Sequence, residues 1–317
     1  MRILVTGAAG FSGSFLVEAL ASQAGQATVY ATTKDEVPEE DRYKNLNWIS
    51  CDLLSRENVS EALKEARPDQ IYHLAAYSSP INSFREPIRA INETSAIQIN
   101  LYETCLDLNL SPRVLLVSSG QIYGKGTSLP LTEESRIDCS SPYAVAKLCQ
   151  ENLAEYYYKR GIQTIIARPF NHAGPRQQLG FLVADLAYQI ALAEAKPDKA
   201  LIRVGDLSSK RDFTDVRDIA LAYIQLMKGG EVNEIYNVCS GKSTAGEEIL
   251  DRLLKMARSH ITVRPDTTRM RPSDIRDLYG NSSKLNKKTG WVPQISLETT
   301  LQDTLDYWRQ RIKKEGQ

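Results

Sequence analysis

MRILVTGAAGFSG, residues 1–13, is the stretch whose reading decides the fold. Arg2–Thr6 is a short β-branched run that reads as a buried strand, and Phe11 opens a helical pattern reaching Ala24. Between them stand Gly7, Gly10 and Gly13, spaced GxxGxxG instead of GxGxxG. Glycine lets the backbone turn tightly and approach a pyrophosphate, whose charge then sits at the helix N-terminus. Three glycines alone also suit an ordinary strand–helix turn. Their place at the head of a βαβ pattern makes Gly7, Gly10, Phe11, Ser12 and Gly13 candidate dinucleotide-binding residues.

Working outward, short strand-like runs continue to alternate with helical patterns. Strands are expected at Thr28–Thr33, Asn47–Cys51, Gln70–Leu74, Arg113–Ser118 and Gln163–Arg168. Helices are expected at Ser55–Arg67, with a serine cap, at Ile88–Leu108 and at Tyr143–Lys159. Such alternation predicts an α/β fold with a doubly wound parallel sheet covered on both faces. After Pro169 the rhythm changes. A Gly/Pro/Gln-rich loop (Gly174–Gly180) precedes a helix at Leu182–Ala195, then a strand–loop–helix passage through Val204, Asp218 and Met227. A strand at Ile235–Val238 and helices at Gly246–Arg258 and Leu297–Ile312 complete the pattern. The expected boundary lies near residue 170, with 204–239 partly returning to the first domain.

Composition narrows the partners. Lys plus Arg and Asp plus Glu both number 39, so no basic excess points to nucleic acid or a membrane surface. Five cysteines lack CxxC or metal-type spacing, and only three histidines are present, so no metal is expected and reduced thiols fit the cytoplasm. The apolar start is too short for a signal segment, and no run approaches a membrane span.

The end of the second strand selects the dinucleotide. An acidic residue there would bind a free ribose 2′-hydroxyl. Instead Thr32, Thr33 and Lys34 offer two hydroxyls and an ammonium, which suit a 2′-phosphate better than a diol. NADP(H) is therefore expected, with NAD(H) the alternative.

Tyr143 and Lys147 form YxxxK on one helical face, introduced by Ser140-Ser141-Pro142. A nearby ammonium and the positive helix end are expected to lower a phenol that otherwise titrates near ~10. Ser119, at the end of Val117-Ser118-Ser119, stands where an open α/β sheet carries ligand chemistry. Singly, each residue also fits a surface tyrosine, lysine or turn serine. In this order behind a glycine loop, Ser119, Tyr143 and Lys147 form a catalytic set.

TGAAGFSG, CDLL (residues 51–54), HLAA (73–76), VSSGQIYG (117–124), SPYAVAK (141–147), RPFN (168–171) and RDFTDVRD (211–218) together resemble the extended short-chain dehydrogenase/reductases. The likeness spans essentially the whole chain. It implies a Rossmann domain over residues 1–169 and a smaller C-terminal α/β domain over 170–317 that binds a nucleotide sugar. It further implies Asp52 beside the adenine, Leu53, Leu74, Ala75 and Ala76 along the cofactor, and Asn92 supporting the active-site region. Tyr143 and Lys147 would hold the nicotinamide ribose, and Pro169 would flank the carboxamide. The helices around Ile88–Leu108 and Tyr143–Tyr158 resemble those that pair as a four-helix bundle in family homodimers, so a homodimer is expected.

Within that family, dehydratases carry an acidic residue just after the catalytic hydroxyl, where this chain has Gly120 and Gln121. Neither acts as a general base near neutrality. No cysteine follows the two serines, which weakens C3/C5 epimerisation. RPFNHAGPRQQLGFLV (168–183) resembles GDP-mannose dehydratases and, more closely, GDP-6-deoxy-4-keto-mannose reductases. By that resemblance Asn171, Arg211 and Arg271 would contact the diphosphate of the nucleotide sugar and Asp274 its ribose, with Ser119, Arg176 and Val183 also on the substrate. The expected reaction is NADPH-dependent reduction of a C4 ketone, GDP-4-keto-6-deoxy-D-mannose giving GDP-D-rhamnose. The alternatives are a nucleotide-sugar 4-epimerase of the UDP-glucose type with retained NAD, and a non-catalytic dinucleotide sensor.

Overall fold

The computed structural model describes residues 1–22, 27–35, 46–125, 128–196, 200–269 and 275–315. Strand β1 (Arg2–Thr6) leads into α1 (Phe11–Ser22), followed by β2 (Thr28–Thr33), β3 (Asn47–Ser50), α2 (Arg56–Ala66) and β4 (Gln70–His73). Then come α3 (Pro80–Arg85), α4 (Pro87–Asp107), β5 (Arg113–Val117), α5 (Pro142–Tyr158) and β6 (Gln163–Pro169). The second half holds β7 (Asn171–Ala173), α6 (Leu182–Ala195), β8 (Leu201–Val204), β9 (Lys210–Asp215), α7 (Val216–Gly229) and β10 (Ile235–Val238). It ends with β11 (Ser243–Ala245), α8 (Gly246–Lys255), β12 (Thr262–Pro265), β13 (Asp277–Leu278), α9 (Ser283–Thr289) and α10 (Leu297–Glu315).

Seven of these strands make one parallel sheet in the order β10-β6-β5-β4-β1-β2-β3. This is the expected doubly wound Rossmann-type α/β sheet. Its faces are dry because β1, β4 and β5 carry apolar residues on both sides, as in Leu4, Val5, Ile71, Val114 and Leu115. One face is covered by α1 and α7 through Leu16, Leu20, Ile219 and Leu226, and the other by α2, α4 and α5 through Leu63, Leu101 and Tyr157. The order of strand addition reverses between β1 and β4, which opens a crevice above their C-terminal ends.

Local chemistry sets the helix starts. Ser55 Oγ accepts from Asn58 N–H at 3.2 Å to cap α2, and Ser141 Oγ accepts from Ala144 N–H at 3.1 Å to cap α5. Asp215 caps α7 through Arg217 N–H at 2.8 Å.

Past Pro169 the chain builds a second, smaller layer. β9 pairs with β7, β11 and β13, β8 pairs with β12, and α6, α8 and α10 share a core containing Leu186, Ile190, Leu253, Leu305 and Trp308. The passage expected as strand, loop and helix contains a further strand, β9, because Arg211-Asp212-Phe213-Thr214 alternates too briefly to stand out as a period-two run. β10 then crosses back to the edge of the main sheet beside β6.

Candidate active site

A cavity of about 300 Å³ opens over the crevice, with the glycine loop on one wall and α5 on the other. Gly7, at φ +70°, turns the chain out of β1, and a Cβ there would lie 2.9 Å from Ala75 N. A Cβ on Gly13 would stand 2.1 Å from Gly7 O, so α1 can start this close to β1 only with glycine. The bare backbone and the free helix N-terminus fit a dinucleotide pyrophosphate. Ser12 Oγ lies 2.8 Å from His172 Nε2. His172 Nδ1 faces the Phe170 carbonyl at 3.1 Å and must donate to it, so Nε2 accepts and the Ser12 hydroxyl donates. The imidazole also lies parallel to the Phe11 ring, centroids 5.7 Å apart. The cofactor loop is thereby tied to the strand leaving the substrate side.

Ser119 sits just beyond β5, its hydroxyl accepting from Gln121 N–H at 3.2 Å. Tyr143, half-buried in the first turn of α5, has its backbone N–H on Ser83 Oγ at 3.2 Å. The lowering expected for its phenol is not found. Burial pushes the Tyr143 hydroxyl up, and only the hydrogen bond with Ser119 pulls it down. Lys147 is itself buried, and burial lowers it to about 7 against the opposing pull of Glu151. Its Nζ donates to Val117 O at 2.8 Å and to Gln150 Oε1 at 3.0 Å. Under it His73, pushed down to about 3 by burial and by Lys147, bonds Thr6 Oγ1 at 2.8 Å and is neutral.

Below the cavity Arg168 and Glu151 form a buried ion pair, 2.9 and 2.7 Å. Arg168 also donates to Tyr123 Oη at 2.7 Å, and Tyr123 donates to Asn237 Oδ1 at 2.8 Å. Ser118 Oγ completes the group by donating to Glu151. This network locks β6, β10 and α5 together beneath Ser119 and Lys147.

The cavity gathers Gly7, Gly10, Phe11, Ser12, Gly13, Leu74, Ala75, Ala76, Ser119, Tyr143, Lys147, Pro169 and Asn171 from the residues singled out by sequence. Others lie elsewhere. Thr32 and Thr33 are buried in β2, while exposed Lys34 sits 3.6 Å from Asp52 at the sheet edge; Leu53 is buried beside that loop. Asn92 is exposed on α4, away from the cavity. Arg176 forks onto Glu18 of α1 and does not line the cavity. Val183 is a buried core residue of α6 and does not line the cavity either. Arg211 lies on β9, partly buried, its guanidinium donating to Lys210 O at 2.7 Å. Arg271 and Asp274 lie outside the described residues.

The structure adds Gln177, Gln178, Phe181, His172 and Tyr223 to the lining. The first two stand in the Gln-rich loop, whose adjacent amides were the available signal, and Phe181 stands at the head of α6. Tyr223 sits on a buried face of α7 that packs against the main sheet. Among the described residues no carboxylate lines the cavity. Gly120 is glycine for a packing reason, since a Cβ there would press 2.9 Å from the Phe170 ring.

Comparison with known proteins agrees with this geometry. The family described as GDP-mannose 4,6 dehydratase matches residues 4–304. GDP-6-deoxy-D-mannose reductase of Pseudomonas aeruginosa is 33% identical, with 99% of each chain covered. The solved structure of RMD from Pseudomonas aeruginosa complexed with NADPH superposes with a TM-score of 0.86 at 31% identity, covering 98% of this chain and 100% of that one. Thermus thermophilus UDP-glucose 4-epimerase in complex with NAD also reaches a TM-score of 0.86, at 27% identity, covering 98% and 99%.

Proposed function

The chain belongs to the GDP-mannose 4,6-dehydratase-like family of extended short-chain dehydrogenase/reductases, and from that premise we propose that it reduces the C4 ketone of a GDP-linked 4-keto-6-deoxy sugar with NADPH. It is an oxidoreductase acting at the sugar C4. Bound in the crevice, the nicotinamide supplies the hydride. Ser119 holds the ketone oxygen, and Tyr143 gives its phenolic proton to that oxygen as the alkoxide forms. A phenol raised by burial and bonded to Ser119 starts in the protonated state this role requires. Lys147 binds the cofactor ribose and, once protonated, stabilises the phenolate left behind.

The observation that carries this reading over dehydration is the lining itself. Removing water across a sugar ring calls for a second acid or base, and among the described residues the cavity offers no carboxylate. The preferred substrate is GDP-4-keto-6-deoxy-D-mannose, giving GDP-D-rhamnose, supported by the full-length likeness to a reductase named for GDP-6-deoxy-D-mannose. NADPH is favoured over NADH by exposed Lys34 at the β2 edge and by the NADPH-bound relative. Five unpaired cysteines support the cytoplasm as its compartment; among the described residues no helix is long and apolar enough to cross a membrane.

One experiment separates the family's chemistries. The protein is given the ketosugar with NADPH or NADH, and separately GDP-mannose and UDP-galactose without reductant. Oxidation of one NADPH per ketosugar, slower use of NADH and no change in the other two sugars is the expected result. Ketosugar formed from GDP-mannose would make it a dehydratase. UDP-galactose equilibrating with UDP-glucose while NADPH stays unused would make it an epimerase.

A further inference from the structure

The loop after β7 runs from the cavity to the outer side of α1. At its turn Arg176 takes φ +71°, the left-handed region that favours glycine. Such a residue persists where its surroundings over-determine it. Here the guanidinium grips the Glu18 carboxylate at 2.5 and 3.0 Å and lies 3.6 Å from the centroid of the Phe15 ring. What this clamp holds in place is the next residue. Gln177 is 5% exposed, and its Nε2 donates to the His172 carbonyl at 2.9 Å. That bond commits the donor end of the amide and fixes the other end as oxygen. Oε1 is buried, belongs to a residue lining the cavity that holds Ser119 and Tyr143, and has no protein partner among the described residues. A buried carbonyl oxygen without a donor is unfavourable, and folds rarely keep one without a use.

We propose that Gln177 Oε1 recognises the bound ligand by accepting a hydrogen bond from an uncharged donor, a hydroxyl or a carboxamide N–H. Phosphate does not fit, because two acceptors would face each other. The inference rests on the dinucleotide and nucleotide-sugar reading, and either ligand brings such a donor: a nicotinamide carboxamide, or a ribose or hexose hydroxyl.

The test uses direct binding, so it stands apart from any turnover assay. Affinities of the full chain for NADPH, GDP-mannose and UDP-glucose are measured for wild type, Gln177→Leu and Gln177→Glu, with melting temperatures alongside. Leucine removes both the acceptor and the Nε2 donor to the His172 carbonyl, whereas glutamate gives up that donor but keeps an acceptor at the same reach. Loss of one neutral hydrogen bond predicts roughly five- to tenfold weaker binding in the leucine variant, with recovery in the glutamate variant. If NADPH is the ligand affected, 3-acetylpyridine adenine dinucleotide phosphate, which lacks the amide N–H, separates carboxamide from ribose: equal affinity for wild type and leucine variant assigns the carboxamide. If only the sugars weaken, the donor is a hydroxyl on the nucleotide sugar. Unchanged affinity for every ligand overturns the proposal. So does an equal loss in both variants, which would assign Gln177 to holding His172 alone.

Discussion

Burial acts on Tyr143 and Lys147 in opposite senses. It raises the phenol, which is neutral when protonated, and lowers the ammonium, which is charged when protonated. Tyr143→Phe keeps the ring and deletes the transferable proton, so turnover is expected to fall by at least about 10²–10⁴-fold while NADPH affinity holds. Near-normal turnover with intact cofactor binding would hand the acid role to another group. Lys147 also leaves a mark on stability. Its folded pKa of about 7 lies below the unfolded value of 10.5, so between those limits the unfolded chain carries a proton that the fold has released. The penalty for burying the charge is complete below pH 7 and fades as pH rises. Melting temperatures of Lys147→Met and wild type, both without ligand, should therefore differ most in the variant's favour near pH 6.5, and that advantage should shrink by pH 9. A difference independent of pH would mean the ammonium is not desolvated as described.

At the scale of elements, α5 is pinned at two places of unequal strength. At its start Ser141 Oγ caps Ala144 N–H, an exchange worth about 1 kcal/mol when the cap is cut to alanine. Two turns on, Glu151 faces Arg168 of β6, with side chains 6% and 2% exposed. Removing one partner of a buried pair strands the other, at a cost of about 3–5 kcal/mol. Denaturant unfolding should thus show Glu151→Ala losing several times the stability that Ser141→Ala loses; equal losses would mean that water reaches Arg168. The same helix shows what sequence can disclose. Its start at Pro142, its cap and the Tyr143–Lys147 face were legible because they depend on neighbours in the chain. So was the glycine loop, whose backbone geometry admits few residues. The partners of Arg176, Glu151 and Gln177 were not, since Arg176 meets Glu18 across 158 positions and its pairing is set by how β7 leaves the sheet. Strands such as β9 escaped for a related reason, because their pairing is tertiary and KRDFTD carries only one large apolar residue.

For the whole molecule, α4 and α5 cover the sheet with their inner faces and present an apolar patch on their outer ones. The two helices pack together, and each turns a stripe outward: Ile88, Asn92, Ser95 and Ile99 on α4, Val145, Cys149, Asn152 and Tyr156 on α5. Spacings of four, three and four residues keep each stripe on one face. Ile88 is 75% and Tyr156 54% exposed, and Phe84 on neighbouring α3 is 63% exposed. Scattered apolar side chains on a surface need no explanation, but several on adjacent parallel stripes make a patch. Two such helix pairs placed face to face would form a four-helix layer, and a stable dimer of this kind buries about 1,200–2,000 Å² in total. Asn92 stands on that stripe, off the cavity lining. Sedimentation equilibrium at micromolar protein should return twice the chain mass of 35.5 kDa. The double variant Ile88→Asp, Tyr156→Asp puts charge on both stripes without touching the sheet, and it should sediment at the single-chain mass with the same far-UV spectrum. A wild-type protein that remains at the single-chain mass would leave the stripes without a partner and remove the homodimer from the functional picture.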